Sequence, residues 1–294
     1  MMPISLQSVL NTELASHPHA ICVKSQSNFM RVLFFLNRDQ KRALEAVYAF
    51  ARVLDDAVDE WEAPETQQVA LDFWKTHFDN LYADSPKGLL MQELHWAIET
   101  FSIPLNPFYE LMAGCAADIS THRYDTFLEL ESYCYAVAST IGLIALPIFG
   151  IKDLAAEAPS IALGKALQLT NILRDIYEDF LRGRIYIPRE DFDQFAYKPE
   201  WLGQKLYTPA FIRLMSYQAE KAELFFKEAT SFLDNQTSTV YLPPWVMGRT
   251  YHTLLQTLKR RRFEVFQKRV GLSGFHKTMV LLHIGGRYLL SKRS

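Results

Sequence analysis

The chain has 294 residues, of which 49% are hydrophobic and 22% charged, and its formal net charge is only −2. This composition excludes a disordered chain, and the near-neutral charge gives no indication of a nucleic-acid partner. Three widely spaced cysteines without a C-x-x-C pair form neither a disulfide framework nor a zinc site, so we expect a reducing compartment. The N-terminal residues lack the pattern of a signal peptide, and no apolar stretch approaches the roughly 20 residues of a membrane span.

Apolar residues recur at helical spacing along almost the whole chain, and no period-two run with hairpin turns is present. Prolines and glycines are sparse, and breakers such as Pro64, Pro86, Pro188 and Pro199 fall between the helical segments. We therefore predict a single all-α domain over residues 1–294, without a linker or an internal repeat. The predicted helices, in chain order, cover 38–60, 66–82, 88–101, 107–119, 130–149, 160–181, 208–233, 245–267 and 274–290, with a loop-rich zone at 182–208.

The end of the first predicted helix is unusually acidic, because five of the eight residues in 55–62 are acidic. On a helix, Asp55, Asp56 and Asp59 lie within about one turn. Carboxylates this close repel each other, and a bound cation would offset the repulsion. Mg²⁺ prefers oxygen ligands and usually connects one or two carboxylates to the phosphates of a substrate. A solvated acidic helix end is the alternative interpretation.

A second polar stripe lies in the predicted helix 160–181. Its members step by three, four and four residues and are Gln168, Asn171, Asp175 and Asp179. Polar groups on a mostly apolar helix are costly unless they are satisfied, so a buried polar network between helices is the alternative. Arg174, Arg182 and Arg184 add cations beside the acids, as the binding of a diphosphate requires. Two aspartate stripes can face each other across the core of a helix bundle and form a metal site.

Both acidic stretches carry a resemblance to a known family. Residues 48–60 resemble the first aspartate-rich helix of the squalene/phytoene synthases, and residues 168–188 resemble the second. The resemblance covers residues 24–279 and implies an isoprenoid synthase bundle with a central cavity between these two helices. Members of the family condense two allylic prenyl diphosphates head to head, so the resemblance implies a transferase.

Two further stretches support the resemblance. Residues 133–142 are similar to the family's tunnel helix, in which small residues let prenyl chains pass, and residues 251–270 resemble its C-terminal segment with a diphosphate-contacting Tyr and Arg. Three positions depart from the family pattern, where Asn28 replaces a usual Ser, Asn37 a common Pro and Arg262 a frequent Gly. Asn28 puts one hydrogen bond to a substrate diphosphate in doubt. All the aspartates are present, which argues against a non-catalytic relative.

The resemblance implies three overlapping groups of site residues. The expected ligands of Mg²⁺, or of Mn²⁺ in its place, are Asp55, Asp56, Asp59, Asn171, Asp175 and Asp179. The expected substrate-binding residues are Phe29, Tyr48, Arg52, Val137, Ala138, Gln168, Asn171, Arg174, Arg184, Tyr186, Tyr251 and Arg269. The expected catalytic residues are Asp55, Asp59, Asp175, Asp179, Tyr133 and Arg52. Arginines would hold phosphate oxygens, and aromatic faces would steady an allylic carbocation by roughly 0.5–2 kcal/mol each, although core packing explains each aromatic equally well.

The sequence leaves the product open. The segments 55–60 and 137–144 resemble those of bacterial presqualene diphosphate synthases of hopanoid pathways, which join two farnesyl diphosphates. A phytoene synthase acting on geranylgeranyl diphosphate, and a squalene or dehydrosqualene synthase, are alternatives, and NADPH is expected only if the reaction continues to squalene. A terpene cyclase and a non-catalytic helical assembly factor are hypotheses from other classes. We expect a cytoplasmic protein, with peripheral contact at the inner face of a membrane as a hypothesis because the product is lipophilic.

Overall fold

The computed structural model describes residues 4–25, 33–82 and 86–271. Within these residues the protein is all-α, as predicted, and no strand forms apart from an isolated bridge between Arg123 and Ile185. The described residues divide into two compact units, the first within Met1–Ser120 and Leu143–Lys152 and the second within Thr121–Gly142 and Asp153–Ser294. The single domain over the whole chain stays a prediction. The predicted helix 274–290 and the positions Asn28 and Phe29 lie outside the described residues.

The first unit is organised around its longest helix. Its helices are α1 (Ile4–Ala15), α2 (Pro18–Ser25), α3 (Arg38–Asp59), α4 (Pro64–Asp79), α5 (Leu89–Phe101) and α6 (Asn106–Ser120). Helix α3 packs against α2, α4, α5 and α6. It does so with buried residues at helical spacing, including Leu44, Val47, Phe50 and Leu54. The predicted helix 38–60 is therefore confirmed, whereas α1 and α2 were not predicted.

The start of α3 is fixed by the residue that departs from the family pattern. The side-chain Oδ1 of Asn37 accepts a hydrogen bond of 2.9 Å from the backbone N–H of Gln40, and Gln40 Oε1 accepts one of 3.0 Å from the backbone N–H of Asn37. This reciprocal capping box satisfies two of the donors that a helix N-terminus leaves unpaired. Asn37 is thus a good substitute for proline at this position, and it sets the register of the helix that carries the first aspartates.

The second unit is built on the helix that carries the second aspartate stripe. Its elements are α7 (Phe127–Cys134), a π-helical turn (Tyr135–Ser139), α8 (Thr140–Phe149), α9 (Glu157–Leu181), α10 (Arg189–Gln194), α11 (Pro209–Leu233) and α12 (Leu242–Arg260). Helix α8 continues into the first unit from Leu143 onwards. Helix α9 packs against α7, α11, α12 and the π-helical turn. Gly164 on α9 lies against this π-helical turn. A glycine is required there, because a Cβ at position 164 would lie 2.4 Å from the Cα of Ser139.

Helices α7 and α8 and the π-helical turn form one continuous helix, Phe127–Phe149. Among the described residues this helix is long and apolar enough to cross a membrane by length and composition, with a mean hydropathy of 1.6 over its most apolar window. The expectation that no stretch approaches the length of a span was therefore wrong. Half of the window is buried inside the protein, and core helices of proteins that do not cross a membrane meet the same criteria.

The predicted helix 245–267 ends earlier, at Arg260. The two residues Arg262 and Phe263 both adopt left-handed backbone conformations, with φ of 53° and 61°, and this geometry cannot continue a right-handed helix. The carbonyl oxygen of Arg262 accepts a hydrogen bond of 2.9 Å from the hydroxyl of Tyr207, which holds the turn. The structure thus gives the reason why glycine would suit position 262.

Replacing Arg262 by Gly is expected to raise the free energy of unfolding by about 0.5–1 kcal/mol, because glycine adopts a positive φ without the Cβ clash. The measurement is chemical denaturation. Arg261→Gly is the matched control, since it removes the same charge one residue away at a φ of −81° and should not stabilise the protein. If Arg261→Gly gained as much stability as Arg262→Gly, relief of backbone strain would not be the cause.

Candidate active site

The acidic end of α3 carries an ion-pair cluster within the first unit. One guanidinium nitrogen of Arg52 donates to Asp55 Oδ2 at 3.2 Å, and the other donates to Asp56 Oδ1. The two acids differ in surroundings, because 53% of the Asp55 side-chain surface is exposed but only 11% of that of Asp56. Arg52 is therefore held between an outward-facing and an inward-facing carboxylate. Asp59 lies one turn beyond Asp55 on the same face and is half-buried.

The carboxyl group of Asp55 is unusually basic. Protein atoms around it limit its hydration, and the carboxylate of Asp59 repels it, so its pKa rises to about 7 even though Arg52 opposes the shift. Contact of half of the side chain with solvent screens part of this effect. Asp118 on α6, buried and not predicted from the sequence, adds to the repulsion. This end of α3 is a place where additional positive charge would be favourable.

The stripe on α9 is dominated by Asp175, which binds two arginines. Its Oδ1 accepts hydrogen bonds of 2.7 Å from Nε of Arg174 and from Nε of Arg269, and its Oδ2 accepts one from each guanidinium as well, at 2.7 Å from Arg269. Burial disfavours the charged form of Asp175, but these hydrogen bonds outweigh it and hold the pKa of Asp175 below its usual range. The predicted diphosphate-binding residues Arg174 and Arg269 are thus brought together at the predicted ligand Asp175.

One turn before Asp175, the amide of Asn171 is incompletely satisfied. Its Nδ2 donates to Gln168 Oε1 at 3.4 Å, but its Oδ1 is buried and accepts no hydrogen bond from the described residues. A buried acceptor without a partner costs roughly 1–3 kcal/mol. A hard cation binds to oxygen atoms of this kind, so the orphaned oxygen fits the ligand role predicted for Asn171. Oε2 of Glu178, on the same helix, is likewise buried and accepts no hydrogen bond from the part of the chain that the structure describes.

The segment that follows Asp179 determines how α9 ends. Gly183 has a φ of 80°, and the backbone N–H of Arg184 donates to the carbonyl oxygen of Asp179 at 2.9 Å. This is the hydrogen bond of a Schellman motif, in which a glycine just past the helix end reverses the chain. The Arg-Gly-Arg sequence therefore turns Arg184 back into the protein, where its residue exposure is only 7%.

Three tyrosines form a buried cluster in the second unit. The rings of Tyr133 and Tyr186 stack at 5.0 Å with their hydroxyls 3.3 Å apart, and the ring of Tyr124 lies 5.6 Å from that of Tyr133 and 6.1 Å from that of Tyr186. The backbone N–H of Ile185 donates a hydrogen bond of 3.1 Å to the carbonyl of His122, which holds the segment with Tyr124 beside the segment with Tyr186. The sequence analysis predicted roles for Tyr133 and Tyr186 but missed Tyr124. The signal for Tyr124 in the sequence was its position in a short aromatic and basic segment, His122 to Tyr124.

The other predicted site residues that the structure describes lie on α3, on the π-helical turn and on α12. The hydroxyl of Tyr48 donates to Ser25 Oγ at 3.0 Å within the first unit. Val137 and Ala138 are half-exposed on the π-helical turn, a feature that is frequent at functional sites. Tyr251 on α12 lies close enough to Arg269 to raise the pKa of Arg269, after the larger effect of Asp175. Phe29 lies outside the described residues.

Within its own unit, neither aspartate stripe forms a ready-made metal site. In residues 4–25, 33–82 and 86–271, no three His, Cys, Asp or Glu side chains are grouped closely enough to hold a metal ion. The carboxylates of Asp55, Asp56 and Asp175 are occupied by arginines instead. The α3 aspartates belong to the first unit and the α9 stripe to the second, so a cavity between them stays a prediction.

The candidate site thus consists of an acidic helix end, an arginine-rich acidic stripe and a buried tyrosine cluster. The squalene/phytoene synthase family matches residues 23–276. The chain belongs to the squalene/phytoene synthase family. The resemblance inferred from the motifs is therefore confirmed, and the protein is an enzyme of a prenyltransferase-type synthase family.

Relatives within the family carry different names. The chain is 31% identical to the 15-cis-phytoene synthase of Synechococcus elongatus over 81% of each chain, and 33% identical to that of a Synechocystis species over 78% of this chain and 72% of the relative. Among solved structures, a dehydrosqualene synthase crystallised with a ligand superposes with a TM-score of 0.85 at 25% identity, covering 97% of this chain and 99% of that one. A squalene synthase from Alicyclobacillus acidocaldarius superposes with a TM-score of 0.77 at 26% identity, covering 89% and 97%.

Proposed function

We propose that the protein condenses two molecules of farnesyl diphosphate head to head, with loss of one diphosphate, to give presqualene diphosphate. The observation that carries this proposal is the site around Asp175. There two guanidinium groups converge on the half-buried carboxylate of Asp175, one turn from the unpaired amide oxygen of Asn171. Convergent arginines are the side chains that bind diphosphate oxygens best.

The choice of farnesyl diphosphate is supported by the squalene and dehydrosqualene synthases that superpose on most of the chain. A specific observation favours a second candidate, because relatives at 31% and 33% identity are named phytoene synthases. Condensation of two geranylgeranyl diphosphates to phytoene is therefore the alternative. The two candidates share the same chemistry and differ in the length of the prenyl chain.

In this proposal the charged residues prepare the diphosphate leaving group. Arg174 and Arg269 donate hydrogen bonds to phosphate oxygens, and positive charge placed where negative charge develops lowers the barrier. The side chains that would hold Mg²⁺, or Mn²⁺, are five carboxylates and one amide oxygen, from Asp55, Asp56, Asp59, Asp175, Asp179 and Asn171. Bound Mg²⁺ supplies Lewis acidity toward the diphosphate oxygens.

The chemical step balances without an oxidant or a reductant. The C1–O bond of one substrate breaks and releases diphosphate and an allylic cation, which the C2=C3 double bond of the second substrate attacks. Loss of one proton then closes the cyclopropane ring. The released diphosphate accepts that proton, either directly or through a hydroxyl of Tyr133 or Tyr186 that takes up the proton as it passes its own to the diphosphate. The aromatic faces of this cluster steady the cation by roughly 0.5–2 kcal/mol each without capturing it.

NADPH enters the proposal only if the enzyme continues from presqualene diphosphate to squalene. We place the enzyme in the cytoplasm, and its lipophilic product favours peripheral contact with a membrane. Failure of the protein to float with liposomes would contradict that contact. No nucleic-acid partner is proposed.

The experiment that tests the proposed function is product analysis by mass spectrometry. The pure protein is incubated with Mg²⁺ and either farnesyl or geranylgeranyl diphosphate, with and without NADPH. A C30 product that retains a diphosphate is the expected result, and a C30 hydrocarbon would assign squalene or dehydrosqualene by its oxidation state. A C40 product would make the enzyme a phytoene synthase. Absence of condensation with both substrates would overturn the proposal in favour of a cyclase or an assembly factor.

A further inference from the structure

Asp175 has no free acceptor site in this structure. A carboxylate offers about four lone-pair positions, and the two bidentate guanidiniums of Arg174 and Arg269 use two on each oxygen. While both arginines are bound, Asp175 cannot also bind a cation. The predicted role of Asp175 as a ligand therefore requires that one of them leaves.

The two arginines differ in how readily they leave. Arg174 is the sequence neighbour of Asp175 on α9, and only 12% of its side-chain surface is exposed. Arg269 reaches Asp175 from a position 94 residues further along the chain, and 59% of its side-chain surface is exposed. Rotation of Arg269 away from Asp175 thus disturbs little packing, whereas Arg174 is enclosed.

Buried neighbours anchor the backbone around Arg269, so a change of partner would require movement of its side chain alone. The residues Phe266 and Val270 on either side are buried. The ring of Phe266 packs 4.9 Å from that of Phe211 and 5.8 Å from that of Tyr177, which lies on α9 two residues after Asp175. The guanidinium of Arg269 consequently stays within side-chain reach of the α9 stripe after it releases the carboxylate.

We infer that Arg269 blocks cation binding at Asp175 in the unliganded protein and changes partners when substrate binds. Its guanidinium leaves the carboxylate of Asp175 and binds a diphosphate. The released carboxylate can then bind a divalent cation. This inference rests on the proposed function, because it concerns the diphosphate and the cation of that reaction. Its consequence is energetic coupling. A divalent cation alone competes with Arg269 for Asp175, and a diphosphate removes the competitor, so each ligand strengthens the binding of the other. The exchange also keeps the half-buried carboxylate of Asp175 paired before substrate arrives.

The test measures binding of Mn²⁺ to the full chain by electron paramagnetic resonance, with inorganic pyrophosphate as the second ligand. Arg269→Gln is expected to bind Mn²⁺ alone about tenfold more tightly than the unaltered protein. Pyrophosphate should tighten Mn²⁺ binding by about tenfold in the unaltered protein and by much less in Arg269→Gln. Lys268→Gln is the matched control, because it removes the same charge from an exposed neighbour and should behave as the unaltered protein.

Three results would overturn the inference. The first is an unchanged or weaker affinity of Arg269→Gln for Mn²⁺, and the second is an equal gain in Lys268→Gln, which would reduce the effect to net charge. The third is a gain that persists in the double variant Asp175→Asn/Arg269→Gln, because the released carboxylate would then not be the cause. The product assay on the unaltered protein is independent of these readouts. A missing product together with the expected Mn²⁺ behaviour would reject the proposed reaction and leave the exchange in place for another diphosphate.

Discussion

Replacing Asp55 and Asp59 together by Asn is expected to lower turnover of prenyl diphosphates at least about 10³-fold, because both negative charges that would hold the cation at the end of α3 are lost. The helical circular dichroism spectrum should not change, since Asp55 is exposed and Asp59 half-buried. Arg52 keeps its hydrogen bond to Asp56. The unfolding midpoint should stay the same or rise, because two like charges one turn apart repel each other. The measurements are turnover by product quantification and thermal unfolding followed by circular dichroism.

The matched control is the double variant Glu62→Gln/Glu65→Gln, which removes two exposed acids just beyond α3. It should retain the activity of the unaltered protein. Survival of turnover in the Asp55/Asp59 variant would show that the metal assignment is wrong. A fall in helicity parallel to the loss of turnover would instead give these aspartates a structural role.

The helices whose ends are set by local chemistry could be predicted from the sequence. Helix α3 begins at the Asn37 capping box and ends in its acidic run, and both features depend only on residues that are close together in the sequence. Helix α9 ends where Gly183 supplies a left-handed residue. The aspartate stripes followed from the same spacing rules, since residues one turn apart share a face of a helix.

Other features depend on contacts that no local pattern contains. Helices α1 and α2 are short, and their stability comes from packing, with Leu6, Leu10 and Cys22 buried against other helices of the first unit. The early end of α12 depends on positive φ values at residues that usually avoid them, such as Arg262. The pairing of Arg269 with Asp175 joins positions 94 residues apart. The spacing of the motifs therefore predicted which side chains share a helix face, but not which of them are paired with each other in the unliganded protein.

Replacing Asp191 by Ala is expected to lower the free energy of unfolding by about 3–5 kcal/mol, the largest effect on stability that we predict. Asp191 on α10 is 1% exposed, and its Oδ2 accepts hydrogen bonds of 2.5 Å from Gln218 and 2.9 Å from Lys221 on α11. The ammonium group of Lys221 lies 4.1 Å from the ring centroid of Phe127 and 4.4 Å from that of Tyr217. Loss of the carboxylate leaves this enclosed cation without its counter-charge.

Chemical denaturation measures the effect, and Asp193→Ala is its control because Asp193 is exposed on the same short helix. The control should change stability by no more than about 0.5 kcal/mol. Adding Lys221→Met to Asp191→Ala should recover part of the loss, since removing both charges of a buried pair costs less than removing one. A loss below about 1 kcal/mol in Asp191→Ala, or no recovery in the double variant, would contradict a stabilising buried pair.

The same substitution should also lower turnover, although Asp191 carries no catalytic role. Helix α10 follows the string that carries Tyr186, and its first residue, Arg189, donates a backbone hydrogen bond of 2.9 Å to the carbonyl of Tyr124. The ion pair between Asp191 on α10 and Lys221 on α11 therefore holds in place the segment that carries Tyr186. If the tyrosine cluster steadies the carbocation, Asp191→Ala should reduce kcat more than it raises KM at a temperature where the variant is still folded. A variant that is folded and fully active would separate the stability of α10 from the geometry of the tyrosine cluster.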